Sequence, residues 1–313
     1  MFEWLELVCA VVGAITLFEW VCYLYMVVNH MRHNKKLEKY GNESWALVTG
    51  GSDGIGLAIV KQLASQNFNI VVLSRDKTKL QELAKTIPET YGVKVRTVTR
   101  DILDCVENPI EFYEGIYKEV ADLDISVLVN NVGTMNPGML GSMELNKVLG
   151  ANALNIWPVV FMCRYFLPSF LKRKEKSLIL NVSSLLRVMP VSHHSMYTSG
   201  KAFMDCFSLI LREEMKYLSR NKVEVVSLQP GHVKTNLAKN YAKHLNVSAE
   251  YEKFGSFCFQ ISPEECASVL LRNPGKVGYT AGHWKHQVMG VFLLMMPCVA
   301  NRLSPLVKCL KTN

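Results

Sequence analysis

No two of the nine cysteines stand at the short paired spacing of a metal knuckle or a redox couple. The thiols read as reduced, in a cytosol-facing domain, and no metal is expected. The formal net charge of +8 lacks the basic-aromatic repeat of a nucleic-acid surface; its basic residues are dispersed, and no nucleic-acid partner is expected. The apolar run over residues 4–28 has no basic segment before it and no small-x-small cleavage site after it, which excludes a signal peptide. A carboxylate is missing as well from the place where an NAD-selective site needs one, about twenty residues beyond a glycine-rich turn.

What is present begins with that apolar run, long enough to cross a hydrocarbon layer of roughly 30 Å as a helix. The basic residues His30, Arg32, His33, Lys35 and Lys36 on its C-terminal side predict an outer N-terminus and a cytosolic main domain. Glu19 is costly at that depth, so an insertion that enters the membrane without spanning it is the alternative. A second apolar run, residues 288–300, is too short to span; flanked by Trp284, Lys285, His286 and Arg302, it is expected to lie in the interface. The expected organisation is an N-terminal membrane anchor (1–30), a basic linker (31–43), one catalytic domain (44–280) with a substrate lid (236–262), and an apolar C-terminal extension (281–313).

Within the central part, short apolar runs at 45–49, 69–73, 93–98, 125–129, 177–182 and 223–227 alternate with helical periodicity at 54–66, 78–87, 109–120 and 145–167. This is the pattern of a doubly wound, Rossmann-type parallel sheet in three α/β/α layers, with its site at the carboxyl ends of the strands. After the first strand, Gly50, Ser52, Asp53, Gly54, Ile55 and Gly56 form a turn whose glycines let a pyrophosphate approach the helix N-terminus. The second strand ends at Ser74-Arg75. Arg75 offers a positive fork for a 2′-phosphate, so the expected cofactor is NADP(H). Asp101 suits an adenine edge, and Asn131 and Gly133, in Asn130-Asn131-Val132-Gly133, end the fourth strand beside the cofactor.

The chemistry concentrates at Tyr197 and Lys201, which share one face of a helix. Lys201 can stabilise a tyrosinate and bond the nicotinamide ribose and, with the oxidised nicotinamide charge nearby, is expected to lower the tyrosine pKa; Tyr197 can then pass a proton to or from a carbonyl oxygen. Ser184 is preferred over Ser183 to hold that oxygen. Asn152 is an unusual residue inside a helix and could hold a water joined to Lys201, with Asn155 as its competitor one turn away. Pro230, Gly231, Val233 and Thr235 follow the sixth strand, where backbone groups and a hydroxyl can fix the nicotinamide carboxamide. His193, His194 and His232 are assigned to the pocket wall or to solvent.

Taken together, Thr49-Gly50-x3-Gly54-x-Gly56, Asn130-Asn131-x-Gly133 and the set Asn152, Ser184, Tyr197 and Lys201 resemble the classical short-chain dehydrogenase/reductase family over residues 44–236. Within it, the N-terminal anchor and the segments Leu73-Ser74-Arg75-Asp76 and Asn181-Val182-Ser183-Ser184 are similar to the membrane-bound branch of 17β-hydroxysteroid dehydrogenases and very-long-chain 3-oxoacyl-CoA reductases. A proline-aromatic pair often stands in that branch where this chain has Pro230-Gly231. The resemblance implies seven parallel strands, a possible homodimer, the endoplasmic reticulum membrane and NADPH-driven reduction of a lipid ketone. A steroid ketone is favoured over a 3-oxoacyl-CoA, with retinoids behind; a non-catalytic NADPH-binding membrane scaffold is the contrasting class. The lid composition, with Tyr241, Leu245, Tyr251, Phe254, Phe257 and Phe259, suits an apolar substrate, whereas Lys234, Lys239, Lys243 and His244 could form a basic mouth for a CoA. Asn42, Asn181 and Asn246 head glycosylation triplets that should stay unmodified in a cytosolic domain. The tail carries Lys311 as an imperfect retrieval signal.

Overall fold

Strand residues that alternate in sequence separate onto two faces of one sheet, and each face is buried by its own layer of helices. A computed structural model describes residues 2–32, 37–190, 192–244, 260–272 and 278–295. The strands are β1 (Trp45–Thr49), β2 (Asn69–Ser74), β3 (Val95–Thr99), β4 (Ile125–Asn130), β5 (Ser177–Val182), β6 (Val223–Leu228) and β7 (Tyr279–Thr280). The helices are α1 (Phe2–Arg32), α2 (Gly54–Ala64), α3 (Lys77–Tyr91), α4 (Pro109–Val120), α5 (Leu145–Asn155), α6 (Trp157–Lys172), α7 (Ser195–Ser219), α8 (Asn236–His244), α9 (Pro263–Leu270) and α10 (Trp284–Met295).

All seven strands run parallel in the order β3-β2-β1-β4-β5-β6-β7. The order reverses between β1 and β4, which opens a crevice at their carboxyl ends. Ala46, Val48, Ile70 and Val72 pack with α2, α3 and α9 on one face, whereas Leu47, Val71, Leu73 and Leu128 pack with α4, α6 and α7 on the other. Near-continuous apolar strands are what burial on both faces requires. Side chains fix several helix starts: Asp53 accepts from Gly54 N–H, Asp76 from Lys79 N–H, and Ser262 forms a capping box with Glu265.

The helix expected over residues 145–167 is two helices. It breaks at Ile156 (φ −116°, ψ −55°) because Pro158 opens α6 and has no N–H to donate to Leu154. Among the described residues one stretch, Leu145–Lys172, is long and apolar enough to cross a membrane. It lies mid-chain rather than at either end, and it packs on the sheet with Met162, Cys163, Phe166 and Phe170 buried, which is the place of a core helix. In α1 the described apolar run is Glu6–Phe18, and its Leu7, Val8, Val11, Val12, Ile15, Leu17 and Phe18 are all exposed.

The second half of the expected linker is docked on the sheet. Leu37 and Tyr40 are buried, and the carboxylate of Glu224 on β6 accepts from Tyr40 Oη at 2.5 Å and from Lys39 and Lys176 at 2.6 Å each. The C-terminal apolar helix also belongs to the packed fold. On α10, His286, Gln287, Gly290 and Leu293 face inward, and Trp284 and Val288 face out. Residues 296–300 of the second apolar run lie outside the described residues, as do Arg302 and the tail with Lys311.

Candidate active site

The carboxyl end of β5 and the first turns of α7 meet because the sheet brings Val182 beneath the helix. Lys201, 4% exposed, donates from Nζ to the carbonyl of Val182 at 2.7 Å, and its Nζ lies 5.8 Å from the ring centre of Tyr197. Ser184 hydrogen-bonds the Tyr197 phenol and accepts from Leu186 N–H at 3.1 Å. Ser183 points elsewhere, donating to the carbonyl of Lys201 at 2.7 Å. Ser184, Tyr197 and Lys201 are therefore brought together, with Ser183 serving the backbone of α7.

Burial dominates the electrostatics. It pushes the Tyr197 hydroxyl above its ordinary value, with the Ser184 hydrogen bond pulling the other way. It pushes the Lys201 ammonium down to about 8. Desolvation thus acts on both groups, raising the phenol and lowering the ammonium.

Asn155 is the asparagine that the structure shows near Lys201. A methyl group added at Gly133 would lie 3.0 Å from Asn155 Oδ1 and 3.4 Å from Lys201 Nζ, which places both side chains around the same point. Asn155 is 1% exposed; its Oδ1 accepts from Thr134 N–H at 3.0 Å and its Nδ2 donates to the Thr134 carbonyl at 3.0 Å. Asn152 lies one turn earlier, half-buried. The usable sequence signal was Pro158: the helix stops at Asn155, so the amide at the break is turned toward the strand ends.

At the first strand-to-helix turn, Gly50 and Gly54 have φ of 63° and 52°. A Cβ on Gly56 would stand 2.3 Å from the carbonyl oxygen of Gly50 and 2.5 Å from Asn131 Nδ2. Such a cradle admits only backbone, which fits the close approach of a pyrophosphate to the N-terminus of α2. Asn131 donates to the carbonyls of Thr49 and Gly50 at 3.0 and 3.2 Å, and Asn130 donates to Asn181 Oδ1 at 2.8 Å, so the amides tie β4 to β1 and β5. Ile55 follows Gly54 on the first turn of α2, and Ser52 and Ser74 join hydroxyls at 2.6 Å beside Arg75. Arg75 is largely exposed and reaches Asp101 Oδ2 only at 3.4 Å, leaving its guanidinium available over the adenosine end.

Asp53 closes the cradle from the other side. Its carboxylate binds Gly54 N–H at 2.7 Å, Lys79 Nζ at 2.8 Å and Asn236 Nδ2 at 2.8 Å. Partial burial works to raise its pKa, but these bonds outweigh it and hold the group below the usual carboxylate range. Thr235 packs against Gly54 and caps α8, and Val233 bridges to Ile261. Leu185 N–H donates to the Pro230 carbonyl at 3.0 Å, while Gly231 meets α10. His194 is buried, bonded to the Ser192 carbonyl and edge-on to Tyr241. Leu245, Asn246, Tyr251, Phe254, Phe257 and Phe259 of the expected lid lie outside the described residues.

Sequence reasoning missed one buried group. Asp205, one turn beyond Lys201, accepts from Ser227 Oγ and Gln229 Nε2 and pairs with Arg187 at 3.1 Å. Arg187 belongs to the 3₁₀ turn that Ser184 caps, so this pair anchors the serine loop to the helix carrying Tyr197.

A family model described as short chain dehydrogenase matches residues 44–246. The chain is 33% identical over 258 residues to the very-long-chain 3-oxoacyl-CoA reductase of Mus musculus, covering 81% of this chain and 75% of that protein. It is also 33% identical over 259 residues to the 17-beta-hydroxysteroid dehydrogenase type 3 of Homo sapiens, covering 82% and 76%. Among solved structures, L-sorbose reductase from Gluconobacter frateurii complexed with NADPH and L-sorbose matches with a TM-score of 0.66 at 25% identity, over 77% of this chain and 96% of that one.

Proposed function

The chain belongs to the short-chain dehydrogenase family and is an NADP(H)-dependent oxidoreductase, and from that premise we propose that it interconverts a lipid ketone and its alcohol, with a steroid ketone as the substrate. The observation that carries the reading is the buried Ser184-Tyr197-Lys201 arrangement beside an apolar cluster of Leu185, Val188, Met189, Met289 and Leu293. An apolar ketone can lie over the half-buried members of that cluster, Val188, Met189 and Met289, with its oxygen as the one polar atom toward Ser184 and Tyr197.

Gly50, Ser52, Asp53, Gly54, Ile55 and Gly56 would hold the pyrophosphate, Arg75 the 2′-phosphate, Asp101 and Asn131 the adenosine side, and Gly133 the space beside the ribose. Pro230, Gly231, Val233 and Thr235 would face the nicotinamide. When bound, the reduced cofactor supplies a hydride to the carbonyl carbon. Ser184 donates a hydrogen bond to the substrate oxygen, and Tyr197 gives that oxygen its proton. The phenol is protonated at neutral pH, and because burial raises its pKa it needs the positive charge of Lys201 to give the proton up. Lys201 places positive charge near the tyrosinate left behind, which solvent reprotonates, and Asn155 fixes the Thr134 backbone beside it.

Lys234 and Lys239, exposed beside Thr235, favour a second reading in which a 3-oxoacyl-CoA is the substrate and these lysines meet its phosphates. NADPH oxidation by the detergent-solubilised chain, with steroid ketones and a long-chain 3-oxoacyl-CoA side by side, separates the two. Tyr197→Phe is the blank, with an expected loss of at least ~10²-fold and intact cofactor binding. Turnover of the CoA ester alone would remove the steroid reading; cofactor binding with no tyrosine-dependent turnover of any ketone would favour a scaffold.

We also propose that α1 anchors the domain in the endoplasmic reticulum membrane, with the domain in the cytosol. The exposed apolar side chains along α1 support this. Exposed Asn42 is the reporter: a glycan there in cells would reverse the orientation, whereas buried Asn181 cannot accept one in the folded protein.

A further inference from the structure

The C-terminal helix α10 touches the segment after β6 through one fully buried side chain. His286 is 0% exposed. Gly231 N–H donates to its Nδ1 at 3.1 Å, and its Nε2 stands 3.3 Å from the carbonyl oxygen of His232. A carbonyl can only accept, so Nε2 carries the proton and Nδ1 the lone pair; the two bonds together fix one neutral tautomer.

Position 231 is shaped around this contact. A Cβ there would fall 2.7 Å from His286 Cδ2 and 2.4 Å from Met289 Cε, so glycine lets α10 press on the backbone. The same short segment is held from its other sides by Leu185 N–H on the Pro230 carbonyl and by Ile261 N–H on the His232 carbonyl at 3.1 Å. His286 thus bonds the backbone of two neighbouring residues, Gly231 and His232, in the segment assigned to the nicotinamide.

We propose that His286 is a positioning residue for the nicotinamide end of the cofactor, and that α10 must be seated for the ring to be aligned. This rests on the reading that residues 230–235 face the nicotinamide. Replacing His286 leaves the Gly231 N–H without its acceptor and lets the segment drift, and small displacements of a bound ring cost heavily in hydride transfer.

The test uses the full chain in detergent and needs no substrate for its main readout. Affinities are measured for NADPH and for 2′-phospho-ADP-ribose, which carries the same phosphates without the nicotinamide. In the parent protein NADPH should bind more tightly than the fragment; equal affinities would mean that the segment does not hold the nicotinamide and would overturn the premise. His286→Leu should weaken NADPH by about tenfold and leave the fragment within about twofold. His286→Asn keeps an acceptor near the Nδ1 position and should recover part of that loss; it also carries the test if the leucine variant does not fold. Unchanged NADPH affinity in both variants, or equal weakening of both ligands, would refute the positioning role. A failure to turn over any steroid would leave these binding results standing and would count against the substrate reading alone.

Discussion

Lys201→Met should make the protein more stable and inactive at once. Burial lowers the lysine from an ordinary 10.5 to about 8. That fall corresponds to about 3 kcal/mol against the charged form. Methionine has a similar length and no charge to bury, but it abandons the 2.7 Å bond to the Val182 carbonyl, which costs about 1–2 kcal/mol. The net expectation at pH 7 is a gain of about 1–2 kcal/mol, or roughly 3–6 °C in Tm for a domain of this size. Because the folded pKa lies below the unfolded one, the penalty on the parent protein is fully present below pH 8. It is relieved as pH rises toward 10.5, where the unfolded chain still holds the proton that the folded chain has released. Thermal melts of both proteins in the same detergent, without cofactor, at pH 7, 8, 9 and 10 should show the advantage of the variant shrinking with pH. A variant that melts at or below the parent at pH 7, or whose advantage is constant across the series, would refute the claim that a buried ammonium strains this site.

Asn155→Ala removes two buried bonds to the Thr134 backbone and should lower kcat at least ~10-fold together with Tm, whereas Asn152→Ala should stay within about twofold of the parent; the opposite ranking would restore Asn152 as the working amide. Arg75→Glu should raise the KM for NADPH by at least ~30-fold and improve NADH, with Tm unchanged because the side chain is exposed and its 3.4 Å contact to Asp101 is weak. Gly56→Ala places a methyl group 2.3 Å from the Gly50 carbonyl oxygen, so the turn must open and NADPH affinity, followed by fluorescence titration, should fall at least ~10-fold; unchanged affinity would show that the turn does not cradle the pyrophosphate.

Local pattern was enough to read the parallel sheet, the glycine turn, Arg75 and the Tyr197-Lys201 pair. Each depends on spacing within one element: alternate residues on a strand share a face, and residues four apart on a helix share a side. The expectation of NADP(H) was equally local, since it rested on the residue that follows β2. Asn155 was not settled this way because Asn152 and Asn155 lie on one helix less than a turn apart, and spacing within α5 does not say which of them faces Lys201 on α7.

The sequence by itself determined a dinucleotide fold with Tyr197 and Lys201 on one helix face near the strand ends, because those features are written in short-range periodicity. Tertiary structure brought Asn155 and Lys201 to the two sides of Gly133, joined the Ser184 loop to α7 through Arg187 and Asp205, and turned His286 of α10 inward to Gly231. Such contacts join residues far apart in the chain, and a hydrophobic run read alone looks the same whether it faces lipid or the inside of its own domain.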